Sequence, residues 1–183
     1  MLNTLLEAEK HHLADLLEAI QRCVYFLNAS SQKLTWPLTA EQLKTQHKNI
    51  ALFESLAAIN ERFAKLQDTL AAAMRHASLL AGESHDSFLK VLSFYEKIGV
   101  LGSVAIWQLC RTARNLAAHD YEIEYTAIAE HFNTLHGLTP ELYCTATLFI
   151  NYCNMALKIE PAQGDFAQDF RIIVTNTDDK SLT

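Results

Sequence analysis

The chain has 183 residues, of which 50% are apolar and only five are glycine. This length suits one domain with a sizeable core, and the scarcity of glycine and proline favours helices. The net charge of −6 argues against strong, nonspecific binding of nucleic acid, since such binding needs many phosphate contacts from Lys and Arg, but it leaves room for a small basic cleft.

No transmembrane segment, secretory signal or metal motif is evident. No apolar stretch reaches the length of about eighteen residues that a membrane span requires, and the N-terminus lacks a basic segment followed by an apolar block. We therefore expect a soluble, cytoplasmic protein. The four cysteines form no Cys-x-x-Cys pair, which is typical of reduced core residues. No two histidines have the three- or four-residue spacing of helical zinc ligands, and the pair of His11 and Asp15 does not by itself form a zinc signature. We therefore expect neither a metal nor another cofactor.

The first predicted element is a long amphipathic helix. Apolar residues recur at intervals of three and four over residues 2–27, and the helix is expected to end near residues 28–31. A loop is predicted to follow it, as far as residue 38.

The second helical stretch begins with a recognisable cap. Thr39 and Gln42 form a predicted capping box, in which each side chain satisfies a backbone N–H of the first turn. The apolar periodicity continues to Leu80, with a candidate break at residues 47–49. Gly82 supplies a natural stop.

Two shorter helices are predicted next. Residues 85–87 begin the third helix, which Gly99 closes, and Ser103 is the predicted N-cap of the fourth. The fourth helix runs into residues 110–121, the chemically richest part of the chain, and is expected to break or bend near His119.

The C-terminal half predicts two more helices. The amphipathic pattern over residues 121–135 predicts a helix that ends at Gly137. Thr139 and Pro140 then predict the N-cap and the first position of a separate last helix, which runs to Leu157.

Together these patterns predict an all-α fold class. Residues 1–160 form one antiparallel bundle of about five main helices. Residues 161–183 form a partly ordered tail, either extended or helical.

Residues 110–121 carry polar groups that an alanine- and leucine-rich helix does not need for packing. Arg111, Asn115 and His119 share one helical stripe, and Arg114 and Tyr121 share the stripe beside it. The first stripe offers a cation, an amide and a group that exchanges a proton near neutral pH. The second adds a guanidinium fork and a hydroxyl. This combination predicts a phosphate-binding face.

A less specific interpretation of the same segment is a solvated helix end. In that case the arginines would pair with Glu122 or Glu124. For a lone arginine or histidine this would be the better explanation, but the combination of groups favours the phosphate-binding face.

Asp68 is a candidate partner for the arginines. Alanines around it permit close approach of another helix and would leave its carboxylate near a packed interface, where a buried carboxylate needs a partner. We therefore expect Asp68, together with Gln67, to orient Arg114 or Arg111. The alternative is an exposed Asp68 on the outer face.

The pattern Arg114-Asn115-x3-His119-x-Tyr121 resembles the Arg-x4-His-x-Tyr signature of HEPN-domain proteins, specifically the HepT-like ribonuclease toxins encoded beside minimal nucleotidyltransferase antitoxins. Upstream segments occur in the order that the family uses: residues 63–70, 80–83 and 88–100, and Trp107. The resemblance spans residues 55–125.

The resemblance implies metal-independent cleavage of RNA, in which the ribose 2′-hydroxyl attacks its neighbouring phosphate. In that mechanism His119 exchanges the proton, Arg114 stabilises charge in the transition state and Asn115 holds the phosphate or the imidazole. The motif has one histidine, so the family's solution for the second acid or base is a two-fold homodimer. The resemblance also implies that a nucleotidyltransferase antitoxin neutralises the toxin by attaching AMP to Tyr121. The alternative for Tyr121 is a structural tyrosine that packs on Trp107 or Leu116.

Two other functions agree with the sequence. A noncatalytic nucleotide- or substrate-binding subunit of a nucleotidyltransferase pair would keep the pocket without cleaving RNA. A structural helical adaptor would leave Arg114 and His119 apart and exposed, or paired with acidic groups. The acidic residues beside the motif do not favour the approach of RNA: Asp120, Glu122 and Glu124.

Overall fold

The computed structural model describes residues 2–83, 86–116 and 124–181, and every regular element in these ranges is helical. The helices are α1 (Leu2–Ser31), α2 (Ala40–Thr45), α3 (Ile50–Leu80), α4 (Phe88–Lys97), α5 (Val104–Leu116), α6 (Tyr125–Tyr152), a π-helical turn (Cys153–Leu157) and α7 (Ala167–Ser181). The predicted all-α fold class is confirmed for the described residues. Within them, no helix has both the length and the apolarity needed to cross a membrane.

The two longest helices, α1 and α3, form an antiparallel pair at the centre of the fold. His76 Nε2 lies 2.8 Å from Glu9 O near one end, and Arg62 Nη1 donates to Phe26 O at 3.1 Å near the other. The apolar residues of both helices are fully or almost fully buried along the shared face: Leu13, Leu17, Ile20, Val24, Ile59, Phe63, Leu66 and Leu70. Each such side chain contributes about 1.5–3 kcal/mol by leaving water.

Helix α6 lies against the same pair and runs antiparallel to α1. The Tyr143 hydroxyl donates to Val24 O at 3.4 Å, and Ser31 Oγ lies 3.2 Å from His136 Nδ1. Because residues that increase in number along α6 meet residues that decrease along α1, the two helices point in opposite directions. It follows that α6 runs parallel to α3.

The loop between α1 and α2 is attached to α6. The Trp36 ring stacks on the ring of His136, with centroids 4.1 Å apart. Leu38 N donates to Asn133 Oδ1 at 2.8 Å, and Asn133 Nδ2 donates back to Leu38 O at 2.9 Å. These contacts fix the loop at the edge of the bundle.

The predicted helix starts are present. Thr39 Oγ1 accepts from Gln42 N at 3.2 Å and Gln42 Oε1 accepts from Thr39 N at 3.0 Å, so the capping box is confirmed. The predicted break follows α2, and α3 begins where Asn49 Oδ1 accepts from Leu52 N at 3.1 Å. Ser103 caps α5, as predicted, since its Oγ accepts from a first-turn N–H at 3.1 Å.

The prediction of two separate helices around Pro140 was wrong. Gly137 and Pro140 both lie inside the continuous helix α6. Proline removes one N–H from the helix, and the nearby Thr139 hydroxyl donates to Leu135 O at 2.8 Å. Buried side chains on both sides of the proline, such as Leu135 and Leu142, hold the helix against the core. Tertiary packing therefore outweighs the local breaking signals.

The segment after residue 161, for which an extended and a helical conformation were both open, contains helix α7. Phe170 and Val174 on its inner face are buried. The connection before α7 is tied to α1, because Ala162 N donates to Ala14 O at 3.1 Å and Gly164 N donates to Glu18 Oε2 at 2.8 Å. The tail thus adds to the core through α1 and α6.

Replacing Pro140 by alanine should stabilise the fold. Alanine restores the N–H that proline lacks and relieves the ring clash in the preceding turn of α6, so the free energy of unfolding should rise by about 1–3 kcal/mol. Urea denaturation of P140A against the parent chain measures this change. P161A, which alters a proline outside any helix, is the control and should give no gain. A loss of stability in P140A would show that α6 depends on the proline geometry.

Candidate functional site

The last two turns of α5 carry the first residues of the predicted phosphate-binding face. Trp107, Cys110 and Ala113 are buried along the inner side of α5. Arg114 follows Trp107 by seven residues and Cys110 by four, so helical periodicity places it on this inner side. Its side chain is only 15% exposed. Arg114 therefore lies at the boundary between α5 and α3.

The guanidinium of Arg114 is held through one of its nitrogens. Nη1 lies 2.7 Å from Asp68 Oδ1 and donates to Ala64 O at 2.9 Å. Nε is buried and has no hydrogen-bond partner among the described residues. Since a guanidinium has five N–H donors, these two contacts fix its position without using its full bonding capacity.

The expected contact between Asp68 and Arg114 is therefore present, but the expected burial is reversed. The Asp68 side chain is 63% exposed, and the arginine is the buried member of the pair. The second acceptor of the guanidinium is the backbone carbonyl of Ala64. Asp68 lies one helical turn after Ala64, which lets both groups face α5.

Gln67 acts on the backbone of α5. Its side chain is buried, and its Nε2 donates to Trp107 O at 2.9 Å. It thus sets the position of the helix that carries Arg114, whereas the sequence led us to expect a contact with an arginine. Its Oε1 is buried without a partner in the described part of the chain.

Arg111 and Asn115 both lie on the exposed side of α5. Within the described residues Arg111 forms no ion pair. His119 and Tyr121 belong to residues 117–123, which are outside the described residues. The structure therefore describes the N-terminal half of the motif.

An aromatic and cationic cluster, which the sequence did not reveal, holds three helices together beside the site. Arg75 of α3 lies over the ring of Phe88 of α4, with its guanidinium carbon 4.3 Å from the centroid. The Phe88 ring meets the Trp107 ring of α5 edge-on, with centroids 6.2 Å apart. No spacing rule links residues on three different helices, so the sequence carried no signal for this cluster.

The thiol of Cys110, four residues before Arg114 on α5, is protonated and unreactive at neutral pH. Burial raises the pKa of Cys110 to about 11, and the carboxylate of Glu141 adds to the shift. The neutral thiol is a poor nucleophile and a poor metal ligand at neutral pH. In the described ranges, no group of three or more His, Cys, Asp or Glu side chains is placed to hold a metal ion. The groups that can act on an anion here are the guanidinium and the amide.

Comparisons with protein-family models, with curated proteins and with solved structures gave no match. The site is therefore interpreted from its own residues. Those residues are one buried and anchored guanidinium, one exposed guanidinium and one exposed amide in the last two turns of α5.

A double-mutant cycle should show whether the contact between Asp68 and Arg114 mainly positions the guanidinium or mainly stabilises the fold. Because Asp68 is largely in water, the coupling free energy between Asp68→Ala and Arg114→Ala should be about 0.5–1 kcal/mol, which is typical of screened pairs. Arg114→Ala alone should cost about 1–2 kcal/mol, since it also loses the packing of the arginine stem and the bond to Ala64 O. Urea denaturation of the four chains measures both values. A coupling above about 2 kcal/mol would identify the pair as a main determinant of the fold.

Proposed function

We propose that this protein is the toxin of a toxin–antitoxin pair and acts as a metal-independent endoribonuclease of the HEPN type. Its fold would then be a HEPN-like antiparallel bundle of about five main helices that works as a homodimer. Arg114, Asn115 and His119 are the proposed catalytic residues, with Arg111, Asp68 and Gln67 in supporting positions.

The observation that carries this proposal is the placement of Arg114. Its guanidinium is mostly buried and held at Nη1, and it lies in the last turn of α5, five positions before His119 in the chain. A cation that is fixed before the substrate arrives needs no reorganisation when negative charge develops on phosphorus. That is the condition for electrostatic stabilisation of a transition state.

The proposed reaction follows from these groups. The 2′-oxygen of a ribose bonds to the adjacent phosphorus, the 5′-oxygen of the next nucleotide leaves, and a 2′,3′-cyclic phosphate results. One His119 accepts the proton of the 2′-hydroxyl, and the partner's His119 donates a proton to the leaving oxygen. Arg114 stabilises the charge on the phosphorane-like transition state, and Asn115 binds a phosphate oxygen.

The outer side of α5 supports a dimer. Leu109 is 51% exposed there, and the uncharged residues Ala105 and Thr112 lie on the same side at intervals of four and three. An exposed stripe without charges that ends beside the motif is suited to a two-fold contact with a second copy, since the same patch then meets itself. Such a contact brings two motifs to one cleft.

The proposed partner is a minimal nucleotidyltransferase antitoxin. Attachment of AMP to Tyr121 would add a bulky anion two positions from His119 and seven from Arg114. That anion would exclude the phosphate of RNA by charge and by volume. Tyr121 is thus the proposed switch between the active and the neutralised toxin.

One observation favours a second candidate, the structural adaptor. An adaptor is expected to pair Arg114 with an acidic group, and the Asp68 contact fits that expectation as well as it fits a positioning role. The two functions differ in what Arg114 does beyond folding. A structural arginine changes stability alone, whereas a catalytic one changes the rate in a chain that remains folded.

Purified protein should cleave single-stranded RNA in the presence of EDTA, because no metal takes part in the proposed reaction. His119→Ala and Arg114→Ala should each lower the rate at least about 100-fold, the range for losing a general acid–base group or a charge-stabilising donor. Gel analysis of an end-labelled oligonucleotide gives the rate, and the chemistry of the 3′ end identifies the cyclic phosphate.

His47→Ala and Arg171→Ala are the controls, since both side chains are exposed, the first in the turn after α2 and the second on α7. These variants should cleave like the parent, and thermal melting should show that all four remain folded. Equal rates in all chains, or a parent chain that leaves RNA intact, would rule out the ribonuclease and leave the binding subunit or the adaptor.

Leu109→Glu should convert the proposed dimer to a monomer and reduce cleavage in parallel. A carboxylate at this position would repel its copy across the two-fold axis. Size-exclusion chromatography with light scattering gives the mass, and Leu79→Glu is the control because Leu79 is 67% exposed at the C-terminal end of α3. A parent chain that elutes as a monomer yet cleaves RNA would contradict the shared cleft.

A further inference from the structure

A surface cleft lies at the edge of the bundle, between the loop over residues 32–39, helix α2 and the first turns of α3. Its volume is about 350 Å³. We call it the α2 cleft. The nearest of its lining residues to Arg114 along α3 is Ser55, which precedes Ala64 by nine positions, or about 13 Å of helix. The α2 cleft is therefore separate from the Arg114 site.

The apolar part of the lining of the α2 cleft, which we call its floor, consists mainly of leucines. Four leucines line it: Leu34, Leu38, Leu43 and Leu52. Leu43 is fully buried and Leu38 nearly so, which makes them part of the main core. Leu34 and Leu52 are only partly buried, so a flat or aliphatic group placed on them would remove further apolar surface from water.

The rim of the α2 cleft is weighted towards hydrogen-bond donors. Gln42 Oε1 accepts from Thr39 N at 3.0 Å, Gln46 Oε1 accepts from Asn49 Nδ2 at 2.9 Å, and Asn49 Oδ1 accepts from Leu52 N at 3.1 Å. Each amide oxygen is thus engaged in capping or bracing the helix ends. The NH2 groups of Gln42 and Gln46 keep both of their donors and that of Asn49 keeps one, while each amide oxygen keeps one lone pair.

The rim of the α2 cleft also carries a positive charge, which favours the same kind of ligand as the amide donors do. Lys33 lines the α2 cleft and is exposed, and the lining includes no carboxylate. Lys33 forms no ion pair among the described residues. A cleft with a cation, several amide donors and no acidic group favours a ligand that is anionic and rich in acceptors.

We propose that the α2 cleft binds a small organic anion, namely a heterocyclic ring with nitrogen acceptors that carries a phosphate or a carboxylate. The ring lies on the leucine floor, its nitrogens accept from the amide NH2 groups of Gln42 and Gln46, and the anion pairs with Lys33. Purine rings present such acceptors, and glutamine and asparagine are their usual partners. The volume lies within the range of roughly 300–1,000 Å³ for small-molecule sites.

Calorimetric titration of the full chain tests this site, with AMP, adenosine-5′-carboxylate, adenosine and inorganic phosphate as probes. At least one of the two anionic nucleosides should bind at one site per chain and at least ten times more tightly than adenosine and phosphate. Whichever of AMP and adenosine-5′-carboxylate binds more tightly shows whether the site prefers a phosphate or a carboxylate. Absence of saturable binding by both, or equal binding of adenosine, would overturn the proposal.

Two pairs of variants place the ligand. Lys33→Glu should weaken the tighter probe at least tenfold, whereas Lys48→Glu, the same charge change at an exposed lysine outside the lining, should change its affinity less than twofold. Ala51→Phe fills the α2 cleft and should abolish binding, while Ala57→Phe, on the exposed side of α3 beyond it, should not. Identical effects within either pair would place the ligand elsewhere.

The outcome is independent of the proposed ribonuclease activity. Arg114→Ala should leave binding of the tighter probe unchanged, because Arg114 does not line the α2 cleft. Loss of binding in that variant, with the fold intact by thermal melting, would move the ligand to the α5 site and refute the α2 cleft as its location.

Discussion

The mostly buried guanidinium of Arg114 is the charge that the α3–α5 boundary must accommodate. A cation with only 15% of its side chain exposed needs compensation from nearby acceptors. Asp68 supplies a carboxylate at 2.7 Å and Ala64 supplies a carbonyl at 2.9 Å. Because Asp68 is mostly in water, screening keeps the pair's contribution to stability small. The contact therefore determines where the guanidinium lies more than it determines whether the chain folds.

The position of Arg114 depends in turn on how α5 is anchored. Gln67 donates to the carbonyl of Trp107, the Trp107 ring packs on Phe88, and Arg75 lies over the Phe88 ring. These contacts tie α3, α4 and α5 together at Trp107, about two turns before Arg114. A side chain seven residues after Trp107 then meets α3 again, since a helix repeats its face at this interval. The contacts at Trp107 fix α5 against the core, and the regular geometry of the helix then determines where Arg114 lies.

The sequence predicted those features whose physical cause is local. The capping box at Thr39 and the cap at Ser103 involve residues within three positions of each other, so their pattern can be read directly. The continuity of α6 could not be predicted, because Gly137 and Pro140 are local signals and the buried contacts that outweigh them come from distant helices. The hydrogen-bond partner of Gln67 could not be predicted from the sequence either, because it is a backbone carbonyl, which every residue type possesses.

The electrostatics of α5 suggest a division between its two arginines. Asp68 neutralises much of the charge of Arg114, so the pair has little attraction for a phosphate beyond the Debye length of about 8 Å at physiological salt. Arg111 is exposed and, within the described residues, has no acidic partner. Under the proposed function, attraction of an anionic substrate to α5 would then depend mainly on Arg111. Under the proposed function Arg111 acts during approach, and Arg114 acts only after the phosphate has displaced water and the local dielectric has fallen.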